Sequence, residues 1–153
     1  MSRPAPAPRS AYARFQVLGT RWSDNDVYGH MNNVVHYSLF DTAVNGFLMR
    51  RGLLDPQVGK TVFLVVETGC RYHSELRFPD EVEAGLRVMR LGGSSVEYAV
   101  GLFAREAPRA AAEGRFVHVN VDRQTRRPAP IPAATRAALE TLVMERPGET
   151  PKA

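Results

Sequence analysis

Between residues 34 and 49 apolar side chains recur at steps of three and four: Tyr37, Phe40, Val44 and Phe47/Leu48, with Val34, Leu39 and Ala43 widening the face. That is the period of an α-helix. Ser38, Asp41/Thr42 and Asn45 make one narrow polar stripe opposite, so the spacing predicts a helix from Val34 to Met49 buried over most of its circumference. Asn32 or Asn33 is a natural N-cap. At the other end Arg50 and Arg51 suit the negative pole of the helix dipole, and Gly52 supplies the stop.

Elsewhere the period shortens towards two. Residues 13–22 alternate well enough for a first strand ending near Trp22. After the helix, Val62 to Leu76 is long and rich in Val and aromatics, closing at Phe78-Pro79-Asp80. Glu81 to Leu91 alternates through Val82, Ala84, Leu86 and Val88; Gly92-Gly-Ser-Ser95 is a turn, and Val96 to Ala104 and Ala110 to Val121 are the last strands. A proline-rich link, Pro128 to Pro132, leads into a short amphipathic helix over Ala133 to Met144. One strand, one helix and then four strands joined by short connections imply an α+β domain. Its curved antiparallel sheet of about five strands, a meander after the helix, wraps around the long central helix. Such a sheet leaves an open edge, and pairing edges between two copies closes it, so a homodimer is expected.

The 153 residues fit one domain with a sizeable core. Pro4, Pro6 and Pro8 mark residues 1–12 as a disordered arm, 13–146 as the domain, and 147–153 as a frayed end. No apolar run approaches the roughly 20 residues of a membrane span, and no signal core follows the basic N-terminus. Neither a membrane partner nor secretion is expected, and a single cysteine, Cys70, fits the reducing cytoplasm. The net charge of +4 favours an anionic partner. Scattered arginines without a nucleic-acid-binding motif argue for a phosphate-bearing small molecule over nucleic acid.

Chemistry concentrates in Ser23-Asp-Asn-Asp-Val-Tyr-Gly-His-Met-Asn-Asn33, directly before the buried helix. Asp26, beside a glycine turn and a helix N-terminus, can attack an activated carbonyl or take a proton from water. Backbone N–H groups around Asn32, Asn33 and Val34 can polarise that carbonyl. The plainer reading is that Asp24 and Asp26 only cap turns. His30 can orient the nucleophile, hold water or bind metal, or simply bond to the loop backbone. A metal site of Asp24, Asp26 and His30 lacks defined ligand spacing, so no metal is expected. Gly29 is expected at positive φ or close to a ligand. Asn32 and Asn33 either cap the helix or touch substrate. Cys70 reads as an inert packed thiol. Glu67, in the otherwise apolar Phe63 to Val66 stretch, faces a pocket, a second subunit or solvent. No Gly-x-Ser-x-Gly elbow, Walker loop or dinucleotide fingerprint is present.

Asp24-Asn-Asp26 followed by Gly29-His-Met-Asn-Asn33 and Tyr37 resembles the 4-hydroxybenzoyl-CoA thioesterase-like branch of the hotdog-fold acyl-CoA thioesterases. Arg71-Tyr72, Phe78 to Glu83, Arg90 to Tyr98 and Arg127 to Pro132 carry the likeness over roughly residues 14–145. The resemblance implies the hotdog fold, pairing into dimers and often tetramers, and hydrolysis of a fatty or aromatic acyl-CoA without cofactor or metal. It places the nucleophile or general base at Asp26 and the carbonyl-polarising N–H near Asn33, with the site formed between subunits. His30 and Asn32 would shape and hydrate the pocket, with Gly29, Val34 and Glu67 also lining it. Some members carry basic residues in the turn that is Gly92 to Ser95 here. The coenzyme A phosphates would then fall to Arg90, to the Gly-Gly-Ser turn including Ser94, or to arginines elsewhere. Two other functions use the same fold: a hydratase or dehydratase acting on acyl thioesters, which needs a differently spaced Asp/His pair, and a non-catalytic binder of acyl thioesters.

Overall fold

The structure is a computed structural model that describes residues 2–55 and 57–144. Five strands form one antiparallel sheet: β1 (Arg14–Leu18), β2 (Thr61–Tyr72), β3 (Val82–Leu91), β4 (Ser95–Ala104) and β5 (Ala112–Asp122). Their order is β1-β3-β4-β5-β2. The expected meander therefore holds only for β3-β4-β5. β2 crosses to the far side and pairs with β5, while β1 pairs with β3, so β1 and β2 are the two edges. Helix α1 (Val35–Arg50) packs on the inner face of the sheet, one residue out of step with the span read from the pattern.

Burial along α1 follows the apolar face. Leu39, Phe40, Ala43, Val44, Phe47 and Leu48 enter the core, and Ser38, Asp41 and Thr42 stay on the more open side. They meet Leu86, Val88, Val100, Leu102 and Phe116 in a single core. Where a Cβ on Gly114 of β5 would lie, the Phe40 ring is already present, so glycine lets the helix approach the sheet. The remaining boundaries shift for identifiable reasons. β2 ends at Tyr72 rather than Leu76, because the Ala111 carbonyl accepts both the His73 and Ser74 N–H groups and draws the chain out of the sheet. The last helix, α2 (Ala133–Glu140), stops four residues earlier than its pattern suggests. Beyond it the Leu142 carbonyl accepts the Val88 N–H, and Val143 bridges to Val88 where the β3–β4 register slips.

The arm read as disordered is packed from Ala7 onward. Ala110 N–H donates to the Ala7 carbonyl, and Arg9 reaches the Ala107 carbonyl (2.7 Å) and Glu83 (2.9 Å). Tyr12 is buried across the outer face, over Gly85 and its cross-strand partner Gly101, and edge-on to Phe103. Two glycines distant in sequence make the groove that holds it, so no local pattern could announce the contact. Residues 145–153, which include the expected frayed end, lie outside the described residues.

Candidate active site

The acidic stretch closes into a short hairpin. Asp26 N–H donates to the His30 carbonyl (2.9 Å), Asn32 N–H donates to the Asp24 carbonyl (2.8 Å), and Asn25 bridges to Met31. Gly29 sits at the tip with φ +84°, as the turn requires. Asn25 fastens the hairpin to the chain beyond β2: its amide accepts from the Phe78 N–H (2.9 Å) and donates to the Phe78 carbonyl (3.3 Å). Met31 N–H adds a bond to the Leu76 carbonyl (2.7 Å). Both strands of the hairpin are thus tied to one segment, Leu76 to Phe78.

The two aspartates have different surroundings. Asp24 is 2% exposed and accepts from the backbone N–H, Nε and Nη2 of Arg21 at 2.7–3.0 Å. It closes the turn ahead of the hairpin, both of its oxygens engaged by Arg21. Asp26 keeps its carboxylate at the hairpin tip. Oδ1 accepts from the Tyr28 N–H (2.8 Å), and Oδ2 lies 3.9 Å from His30 Nδ1. With Trp22, Asn25, Val27, Gly29 and Asn32, Asp26 lines an open cleft of about 560 Å³.

The helix mouth differs from the capping arrangement the sequence suggests. The N-cap position is Val34, not Asn32 or Asn33. Asn32 acts two residues earlier, its side-chain Oδ1 accepting the Val34 N–H (3.1 Å) and its carbonyl accepting the Val35 N–H (3.0 Å). Of the three amides considered for carbonyl polarisation, those of Asn32 and Val34 are therefore occupied. Asn33 N–H has no partner among the described residues. The two groups of a trans peptide point oppositely, and the Asn32 carbonyl runs into the helix, so the Asn33 N–H points out of it. The partial positive charge of the α1 dipole adds to it.

Asn33 is also clamped through its carbonyl, which accepts from Tyr72 Oη (2.7 Å) and His36 Nδ1 (3.2 Å). Since a carbonyl only accepts, His36 carries its proton on Nδ1. Burial, the dominant effect, pushes the His36 pKa below its ordinary value and keeps the ring neutral. Desolvation, with smaller contributions from Cys70 and Tyr37, pushes Tyr72 up to about 12, so its phenol stays a donor. Asn33, His36 and Tyr72 line a second cleft, of about 220 Å³, with His30, His73 and Glu75. His30 stands between the clefts, against Asp26 on one side and 3.9 Å from Glu75 on the other. Sequence reasoning missed Asn25 and His36 as site residues and gave Tyr72 no role of its own. The signal for Tyr72 lay in the strand alternation, which points it to the inner face at the edge.

The other expected contacts lie elsewhere. Glu67, beside the β2 bulge, is exposed and pairs with Arg115 on the outer face. Arg90 is exposed near the end of β3, and the Ser94 carbonyl accepts the Asn120 N–H; neither lines the clefts flanking Asp26 and Asn33. Cys70 is half-buried, its thiol pushed up by burial, in line with a packed and unreactive role. Among the described residues no three His, Cys, Asp or Glu side chains gather as a metal site would need. No helix there is long and apolar enough to cross a membrane.

The sequence profile of the thioesterase-like superfamily matches residues 20–139, from before the hairpin to the end of α2. The chain belongs to that superfamily. This thioesterase shares 51% identity with the PA5185 protein of Pseudomonas aeruginosa PAO1, over 92% of this chain and 97% of that one, with a TM-score of 0.88. A thioesterase of Thermus thermophilus, solved in complex with coenzyme A and Zn, is 30% identical over 86% and 95% of the two chains, with a TM-score of 0.70. Slr0204 of Synechocystis, a 1,4-dihydroxy-2-naphthoyl-CoA thioesterase, is alike in fold alone: 16% identity over 82% and 93%, TM-score 0.75. Among curated proteins the chain has no match. Hotdog fold and superfamily together make the protein a thioester hydrolase.

Proposed function

We propose that this thioesterase hydrolyses fatty or aromatic acyl-CoA in the cytoplasm, as a member of the 4-hydroxybenzoyl-CoA thioesterase-like branch, with Asp26 as nucleophile or general base. The observation that carries the reading is the unpartnered Asn33 N–H at the mouth of α1, unpartnered among the described residues and one short hairpin away from a carboxylate on an open cleft. A thioester carbonyl held on that amide develops negative charge as it is attacked. The amide and the helix dipole stabilise that charge without reorganising. Asp26 either adds to the carbonyl carbon, expelling the coenzyme A thiolate and leaving an anhydride for water to open, or takes a proton from the attacking water. His30, beside Asp26, orients the carboxylate and holds water, and Asn32 and Gly29 shape the approach. No metal or organic cofactor enters these steps.

The single chain leaves Trp22, Val27, Tyr28 and Val34 highly exposed around the hairpin, and Leu64, Val65 and Val66 exposed along the β2 edge. A second copy meeting β2 edge to edge covers that strand and closes the site, in a homodimer or a homotetramer built from it. Incubation with a panel of acyl-CoAs, read by released thiol, tests the function. Free thiol supports the proposal; loss of enoyl absorbance without thiol would make the protein a hydratase, and binding without turnover a module.

A further inference from the structure

Helix α1 starts over β2, where His36 meets Tyr72, and ends over β1, where Arg50 meets Gln16. That end lies at the sheet edge opposite the one given to the second copy. A cleft of about 130 Å³ opens there, floored by Phe47 and Leu86, with Gln16 and three arginines, Arg14, Arg50 and Arg51, around it. Arg50 lies back across Gly46, where a Cβ would stand 3.2 Å from its Nη1, and donates to Gln16 Oε1 (2.8 Å), a neutral partner. Arg51 sits on the Phe47 ring, its guanidinium carbon 3.9 Å from the centroid. Desolvation first, and then the charges of Arg14 and Arg50, hold the Arg51 pKa below its ordinary value.

Among the described residues these charges go unanswered. No carboxylate lines the cleft, and none of the three arginines makes an ion pair. The end of α1 does not use their N–H groups either, because backbone takes its last carbonyls. Gly52, at φ +65°, donates its N–H to the Met49 carbonyl (2.9 Å), and Leu53 N–H donates to the Leu48 carbonyl (3.0 Å). The helix pole adds roughly half a negative charge against three positive ones, so a multiply charged anion suits the cleft better than a single carboxylate. The volume fits a phosphate group rather than a whole nucleotide. We propose that this cleft binds a phosphate group, free or as a monoester, with Arg14, Arg50 and Arg51 as its ligands. The helix carries Arg50 about 25 Å along its axis from Asn33, so the site is separate from the thioester's and does not rest on the acyl-CoA reading.

Calorimetric titration of the full chain with sodium phosphate tests the site, with excess coenzyme A present so that any phosphate subsite of the substrate is filled. We expect one phosphate per chain. Arg14→Gln and Arg51→Gln should each weaken it about tenfold, the loss of one charge-assisted contact, and Arg105→Gln, whose partner is Glu81, should leave it unchanged. Glycerol phosphate in place of phosphate separates the two sources. Tighter binding of the ester marks a phosphorylated metabolite and tighter binding of the ion marks free phosphate, and either supports the site. Thermal unfolding at matched ionic strength is the second readout. Phosphate should raise the Tm of the wild type more than chloride does, while Arg14→Gln/Arg51→Gln should respond to both salts alike. An equal wild-type response to the two salts would reduce the effect to screening and overturn the assignment. Phosphate binding that survives in the double variant would overturn it too, as would binding abolished by coenzyme A, which would put the phosphate in the substrate's own site.

Discussion

His118 offers a test of the core that is independent of catalysis. It projects from β5 into the sheet's inner face at 1% exposure, stacked on Phe63 (5.2 Å) and edge-on to Phe116 (4.8 Å) and Tyr98 (5.8 Å). Its Nδ1 has no hydrogen-bond partner among the described residues. Desolvation in this aromatic cage pushes its pKa from 6.5 down to about 4. In the unfolded chain the imidazole takes up its proton as pH falls through 6.5, while the folded chain resists until about 4. Acid therefore favours unfolding through this residue. The cost is negligible near pH 7.5, about 2 kcal/mol near pH 5, and about 3 kcal/mol below pH 4. His118→Phe keeps a ring among rings and removes the titration. Urea unfolding followed by circular dichroism, at one protein concentration and at both neutral and acid pH, measures the effect. Other groups, His36 among them, titrate in both proteins, so the difference between their pH slopes isolates His118. The variant should keep about 2 kcal/mol more of its neutral-pH stability near pH 5 than wild type does. Equal losses in the two proteins would refute the cage argument.

Two further predictions address the clamp and the arm. Tyr72→Phe deletes the phenol that donates to the Asn33 carbonyl; stability should fall by about 1 kcal/mol and kcat by about tenfold with KM little changed, measured by urea unfolding and thiol release. Gly101→Ala places a methyl group against the Tyr12 ring and should cost about 1–3 kcal/mol in thermal or urea unfolding. Combining it with Tyr12→Ala should cost less than the sum, because both act on one contact.

Helix α1 was legible because one broad face of it meets the sheet, which forces a continuous three-and-four spacing onto the sequence, although the burial covers less of its circumference than the pattern suggests, with Val34 and Met49 exposed. The alternation of β3 and β4 was legible for the same reason, with one face of each strand in the core. β2 was found as a strand but not placed, since an edge strand exposes side chains on both faces: Leu64 to Thr68 form an exposed run that carries no period. Asp26 and Gly29 stood out through their position before the helix. What separates Asp26 from Asp24 is the Arg21 guanidinium folded back onto Asp24, a local contact three residues away that depends on the turn's conformation. The clamp on Asn33 was equally hidden, because it joins residues 36 and 72, which only the packing of α1 against β2 brings together. Tyr12 escaped notice because a run of Pro and Ala shows no period and its receiving groove is made of absent side chains.

The most direct test of the account is the rate of thiol release by Asp26→Asn on the acyl-CoA that wild type turns over fastest, with circular dichroism and oligomeric state checked alongside. An amide there can still accept the Tyr28 N–H but can neither add to a carbonyl nor take a proton. The account predicts a fall in kcat of at least about a thousandfold in a protein of unchanged fold. A variant retaining a tenth or more of wild-type kcat would contradict it.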